Sequence, residues 1–365
     1  NGVVWLQNGP NRPKWLKMGQ NWLEMAQNGN FLVTHYAGEP EMWGTKPPFL
    51  IWCQVFWIKL IGYNELAIRL PAALAGLGTI FMLIFFSQRI LKKPMIGIFA
   101  GLVLLTTRGF ISEHVTRSGD FDALLTLFEM GYLLVFFVVL EKWGMPRAPL
   151  TPKGESHPAR ENQSNFVNPV GGSSPLGAGG ANWSSPFRGL GGEKGIYLAA
   201  LFIILAALTK SIAAFFFLPG LFFYALFQKK LLPILNSKHT WFGILSVILV
   251  VGGFYILREF YNPGYLEAVW ENELGGRYFK SKEGHNHPWY LYFKIMYLRG
   301  HFMPWIFFLP IGIFAGLYRK GVLRNLTILL LINSVFFFLI LMNGRTKIQW
   351  YIAPIYPSLA LIVGI

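Results

Sequence analysis

Long stretches of apolar residues, cut by short polar connections, set what this chain can fold into. Nine stand out: Ala67–Phe86, Met95–Thr106, Phe121–Leu140, Ile196–Leu208, Ile212–Phe227, Trp241–Ile256, Phe302–Leu317, Leu323–Met342 and Ile348–Ile365. A helix of about 20 such residues crosses the hydrocarbon core of a bilayer. Several runs are shorter than that. Polar ends complete them, or they are broken or re-entrant pieces that line a cavity. Gln54–Ile61, beside Trp52 and Trp57, reads as an interfacial helix, and no internal repeat is visible.

Composition decides between a buried core and lipid as the solvent. Hydrophobic residues make up 53% of the 365 and charged residues only 13%, against about 25% charged in a soluble domain. A water-soluble fold of this size cannot hide that much apolar surface. The net charge of +15 is read as basic connections between spans, not as a nucleic-acid surface. With Cys53 as the single cysteine no intrachain disulfide forms, and no C-x-x-C or H-E-x-x-H motif occurs. No signal peptide is visible at Asn1, and the chain stops inside an apolar run at Ile365. Both features predict a piece of a longer protein.

Basic residues orient the spans. Arg89, Lys92 and Lys93, then 143–195, then Lys229, Lys230 and Lys238, then Arg319, Lys320 and Arg324 fall on alternate connections. They read as cytoplasmic. The other connections, including Arg108–Asp120, the turn at Lys210, Arg258–Arg299 and Asn343–Lys347, mix charges and are rich in His, Trp and Tyr. These read as external, as functional loops do. The predicted organisation is a first external loop with interfacial segments over 1–65, and transmembrane helices with an acidic external loop over 66–142. A linker over 143–195 follows, then transmembrane helices with a large external loop at 258–300 over 196–365. Gly, Ser, Pro and Asn dominate 143–195, a composition that cannot bury enough surface to fold.

The chain contains only two aspartates, Asp120 and Asp122, both at the outer mouth of a span. Carboxylates at membrane depth are costly and usually kept for a purpose; a solvated helix N-cap is the competing reading for Asp120. Lys46, ahead of Pro47 and Pro48, suits a lipid phosphate, or it is an ordinary interfacial lysine that snorkels. Lys210 lies between two apolar runs and needs an anion nearby. Arg345 and Lys347, followed by Trp350 and Tyr351, are basic residues in an aromatic belt. The 258–300 loop carries Glu273, Arg277, His285 and His287, and a lone H-x-H pair is weak evidence for a metal. Glu129, inside a span, reads as a paired structural carboxyl. External carboxylates beside external cations suit transfer of a group from a lipid-phosphate donor. A carboxylate can deprotonate an acceptor while cations hold the leaving phosphate.

These residues also resemble a family. Gly38-Glu39-Pro40, Lys46-Pro47-Pro48, Asn64–Pro71, Thr116–Phe128, Leu208-Thr209-Lys210, Pro288-Trp289-Tyr290, Pro304-Trp305, and Lys347 with Tyr351, Pro354 and Pro357 occur in a characteristic order. The chain resembles the GT-C membrane glycosyltransferases of the dolichyl-phosphate-mannose protein mannosyltransferase type. Within them it is most similar to the bacterial branch that includes lipid A aminoarabinose transferase. The resemblance covers nearly everything except 143–195. It implies an all-α polytopic bundle and an inverting transferase that uses a polyprenyl-phosphate sugar on the periplasmic side of a bacterial inner membrane.

By the same resemblance, Lys46 contacts the donor phosphate, with Lys210, Arg345, Lys347 and Tyr351 near it. Asp120 or Asp122 is the acidic residue of the second loop. Arg117, Glu273 and Arg277 are acceptor or loop contacts. His287 falls where some members bind a divalent metal. The family's first loop carries an Asp-Glu pair, where this sequence has Asn11-Arg12; an amide is no general base. Glu41 is the nearby carboxylate that could substitute, a missing N-terminal stretch is a second explanation, and an inactive relative is a third. Thr45 stands where some members have Glu. The acceptor is a lipid or a protein. A transporter that pairs Lys210 with Glu129 at mid-membrane is the alternative function.

Overall fold

The structure is a computed structural model that describes residues 31–36, 39–40, 42, 45–112, 114–143, 193–275 and 287–365. Asn11, Glu41, Arg277, His285 and nearly all of the 143–195 linker lie outside the described residues.

The described chain is helical apart from a two-residue antiparallel pairing of His35–Tyr36 with Glu39–Pro40. Helix α1 is Phe49–Ile61. Helix α2 (Glu65–Leu91) starts where Asn64 accepts a hydrogen bond from the Ala67 amide, 2.9 Å, a standard N-cap that satisfies one free donor. Helix α3 (Pro94–Thr106) opens on a proline, whose missing N–H costs nothing in the first turn. Helices α4 (Asp122–Lys142), α5 (Glu193–Phe215), α6 (Leu218–Phe227), α7 (Lys238–Tyr261), α8 (Trp305–Tyr318), α9 (Val322–Asn343) and α10 (Tyr356–Gly364) follow.

Among these, α2, α4, α5, α7 and α9 are long and apolar enough to cross a membrane. The apolar run Ile212–Phe227 is not one span. Its start forms the 3-10 turn Ser211–Phe215 at the end of α5, and only Leu218–Phe227 is a separate helix. Pro219 is the physical reason: it fits the first turn of a new helix and not the middle of an old one. The 143–195 linker ends slightly early, because α5 already begins at Glu193.

Burial ranks the helices. The apolar window of α4 is 83% buried and that of α7 only 17%. Helix α4 is therefore the central post, packed against α2 and α5. Helix α7 leans on α5 and leaves Trp241, Phe242, Ile248, Leu249, Leu257 and Phe260 exposed. An unbroken apolar face of that kind needs lipid around it. The protein is a multi-pass membrane protein.

Described connections of the two sets meet opposite ends of α4. At one end the Lys230 ammonium donates to the Leu140 carbonyl, 2.5 Å, and the Asn325 amide donates to Glu141, 3.0 Å. These belong to the basic set. At the other end Lys46, Asp122, Lys210, Glu273, Gly344 and Tyr351, from the mixed set, surround one cavity.

Candidate active site in a cavity at one end of the bundle

Asp122 is the first residue of α4, at the positive end of its dipole. Lys210 is the last residue of the α-helical part of α5, at the negative end of that dipole. The backbone leaves α geometry there, since the next residue, Ser211, has φ 51°. The two termini meet, and the Lys210 ammonium donates to Asp122 Oδ1 at 2.5 Å. Both side chains are nearly sealed from solvent. A buried pair of this kind offsets much of the cost of burying each charge alone. The Lys210 ammonium also lies 4.8 Å from the centre of the Tyr351 ring, a cation–π distance.

Lys46 enters from the segment ahead of α1, fixed by the buried Pro47 and Pro48. Its ammonium lies 4.8 Å from the centre of the Phe121 ring. Burial lowers its pKa below the usual lysine range, and repulsion from Lys210 lowers it further. Two ammonium groups thus face one cavity of about 400 Å³. Farther in, its walls are Leu125, Phe215, Phe216, Phe337, Ile340 and Leu341. The two lysines, the carboxylates Asp122, Glu129 and Glu273, and these aromatic and aliphatic side chains share one cavity.

Asp120 is not among the cavity walls. Its Oδ2 sits 2.7 Å from Nδ1 of His114, and its Oδ1 accepts from the Phe121 amide at 3.1 Å. Burial alone raises its pKa, but the His114 hydrogen bond and the Lys46 and Lys210 charges outweigh burial and leave it lowered. The carboxylate is ionised and accepts only, so His114 Nδ1 carries the proton. The His114 ring stacks on Trp350 with centroids 3.9 Å apart and planes 19° apart. Gln54 fixes this loop from α1, donating to both the Ile68 and Gly119 carbonyls at 3.0 Å.

The remaining residues singled out in the sequence divide plainly. Glu273 and Tyr351 line the cavity, and the Thr45 hydroxyl reaches Glu273 at 3.4 Å. Arg117 and Arg345 are exposed. Lys347 is buried, gives its ammonium to the Gly344 carbonyl at 2.6 Å and is not among the cavity walls. His287 is exposed. Among the described residues no three His, Cys, Asp or Glu side chains cluster as metal ligands. Glu129, two turns below Asp122, is fully buried and lines the cavity. It is not Lys210's partner, as a transporter with a mid-membrane pair requires; Lys210 pairs with Asp122 instead. His114 and Gln54 escaped the sequence reading as site residues, and Trp350 was read only as part of an aromatic belt. The signal for His114 was a polar group, Ser112-Glu113-His114, just ahead of the acidic motif.

Residues 45–146 match the sequence model of the family described as dolichyl-phosphate-mannose-protein mannosyltransferase. An uncharacterized protein of Aquifex aeolicus is 24% identical over 363 residues, covering 99% of this chain and 59% of that protein. The crystal structure of ArnT from Cupriavidus metallidurans bound to undecaprenyl phosphate superposes with a TM-score of 0.70 at 20% identity, over 96% of this chain and 55% of ArnT. The apo ArnT structure gives 0.66 at 18% identity, over 96% and 54%. The chain thus spans a little over half the length of these relatives. The resemblance read from the ordered motifs is borne out: the fold is the GT-C fold of ArnT, and the mannosyltransferase model covers the stretch from Lys46 through α4.

Proposed function

We propose that the protein is a glycosyltransferase that takes a sugar from a polyprenyl-phosphate donor and passes it to a lipid or protein acceptor on the periplasmic face. The observation that supports this reading best is the pair of ammonium groups, Lys46 and Lys210, facing one cavity with apolar walls. Like charges in a low-dielectric cavity repel, and a phosphate between them turns that repulsion into attraction. The apolar walls suit the first prenyl units. ArnT, whose fold this chain shares, is known with undecaprenyl phosphate bound.

In this reading Lys46 and Lys210 hold the phosphate and stabilise the negative charge that grows on it as the glycosidic bond breaks. Asp122 holds the Lys210 ammonium in place. Arg345 attracts the lipid headgroup from outside, Lys347 holds the Gly344 carbonyl at the cavity wall, and Tyr351 supports Lys210. Glu273 and Arg117 contact the acceptor side. Displacement inverts the anomeric carbon.

Binding of undecaprenyl phosphate to the purified protein in nanodiscs tests the donor site. Wild type is expected to bind, with Lys46→Ala and Lys210→Met each weakening it at least tenfold. Equal binding by all three proteins would remove the cavity from the account.

A further inference from the structure

Transfer to a neutral hydroxyl requires a group that takes its proton; among the described cavity residues Glu273 is already engaged by the Thr45 hydroxyl at 3.4 Å. Asp122 is committed to Lys210 at 2.5 Å. Glu129 lies two turns deeper in the bundle. Asp120 is held by His114 and by the Phe121 amide, and its lowered pKa makes it a weak base.

His114 has the opposite character. Asp120 fixes its proton on Nδ1, which leaves the lone pair on Nε2. Nε2 has no hydrogen-bond partner among the described residues, and the side chain is 28% exposed. Stacking on Trp350 fixes the ring plane. The backbone amide of His114 donates to the Ser118 hydroxyl at 2.8 Å. The residue is held at φ 66°, a conformation that non-glycine residues adopt at a cost. The dyad sits behind the cavity wall and is not part of it: His114 stacks on Trp350, whose chain neighbour Tyr351 lines the cavity, and Asp120 is two residues ahead of Asp122, which also lines it. Among the described residues the charged group in contact with the imidazole is Asp120, which itself feels the Lys46 and Lys210 charges. Arg345 and Lys347 lie on the strand of chain leading to Trp350.

We infer that His114, oriented by Asp120, is the general base of the transfer, and that the acceptor is an alcohol. The inference rests on the glycosyltransferase reading above. The acceptor hydroxyl gives its proton to Nε2 as its oxygen bonds to the anomeric carbon. The bond from that carbon to the phosphate oxygen breaks, and its electron pair leaves with the polyprenyl phosphate. The imidazolium then releases the proton to water. An acceptor that is already ionised, such as a phosphate, needs no such base. The dyad therefore points to a hydroxyl-bearing lipid or a serine or threonine side chain. Asp120 is a positioning residue in this scheme: it sets the tautomer and stabilises the imidazolium.

Asparagine separates the two nitrogens. In His114→Asn the side-chain amide replaces Nδ1–H and tolerates the positive φ, but nothing replaces Nε2. The full chain in nanodiscs is assayed with undecaprenyl-phosphate mannose as donor probe, and with octyl glucoside or octyl phosphate as acceptor probes. Wild type is expected to use octyl glucoside. His114→Asn should lose about 100-fold or more in kcat with the donor KM unchanged, and free imidazole should restore part of the turnover of His114→Gly. Asp120→Asn should lower kcat with the donor KM unchanged, because the ring loses the partner that sets its tautomer. Retention of kcat by His114→Asn, or use of octyl phosphate alone, overturns the assignment while leaving the transferase reading in place. No transfer by wild type to either acceptor overturns the transferase reading itself.

Discussion

The Lys210–Asp122 pair is where residue chemistry is most exposed to test. Removing one partner strands a buried charge, which costs about 3–5 kcal/mol. Asp122→Asn is therefore expected to lower the thermal midpoint in detergent, and the double variant Asp122→Asn, Lys210→Met to recover most of the loss while binding no donor. Full donor binding by the double variant would show that Lys210 is structural only. Lys46 makes a separate, pH-dependent prediction. Its pKa is lowered first by burial and then by Lys210, so its ammonium is lost at lower pH than that of an ordinary lysine. Affinity for undecaprenyl phosphate should then decline on the alkaline side. Lys46→Arg should flatten the decline, since guanidinium stays charged. Both lysines and both aspartates were legible in the sequence, because charge beside an apolar run is conspicuous. Their partners were not. Nothing in the spacing tells that Asp122 meets Lys210, 88 positions away, or that His114 stacks on Trp350.

At the scale of elements, the acidic loop works only if it is clamped to α1 and α2. Gln54 bridges the Ile68 and Gly119 carbonyls. A Cβ at Gly119 would lie 2.7 Å from Ile68 and 2.8 Å from the Gln54 amide, closer than such atoms approach without a shift. Gly119→Ala is expected to displace the loop and cut turnover more than donor binding. Gln54→Ala should act in the same direction and cost about 1–3 kcal/mol for the buried carbonyls it strands. A normal kcat for both variants, measured in the same transfer assay, would show that the loop does not need the clamp. The long helices were legible from apolar length alone. The short pieces were less so: a run such as Ile212–Phe227 has the composition of a span, and only the break at Ser211 and the restart at Pro219 divide it. In an apolar solvent the usual alternation of polar and apolar faces is absent, so periodicity carries little information about where a helix bends.

Across the whole molecule, basic connections reach the Lys142 end of α4 and the cavity lies at its Asp122 end. By the positive-inside rule the cavity end is expected to face away from the cytoplasm. In a Cys53→Ser background, a membrane-impermeant thiol reagent added outside should label Arg345→Cys and spare Lys93→Cys; the reverse pattern would invert the orientation. The GT-C architecture was legible because its motifs are ordered along the chain, although each is short. The depth and lining of the cavity were not, because they are made by helices distant in sequence. The account stands or falls on chemistry, and the most direct measurement is transfer of labelled sugar from undecaprenyl-phosphate mannose by the purified full chain, with Lys46→Ala beside wild type. Wild type is expected to transfer, and the variant to lose most of that activity. Wild type that binds the donor lipid yet transfers to no hydroxyl acceptor would contradict it, and would make this chain a lipid-phosphate binder with the fold of a transferase.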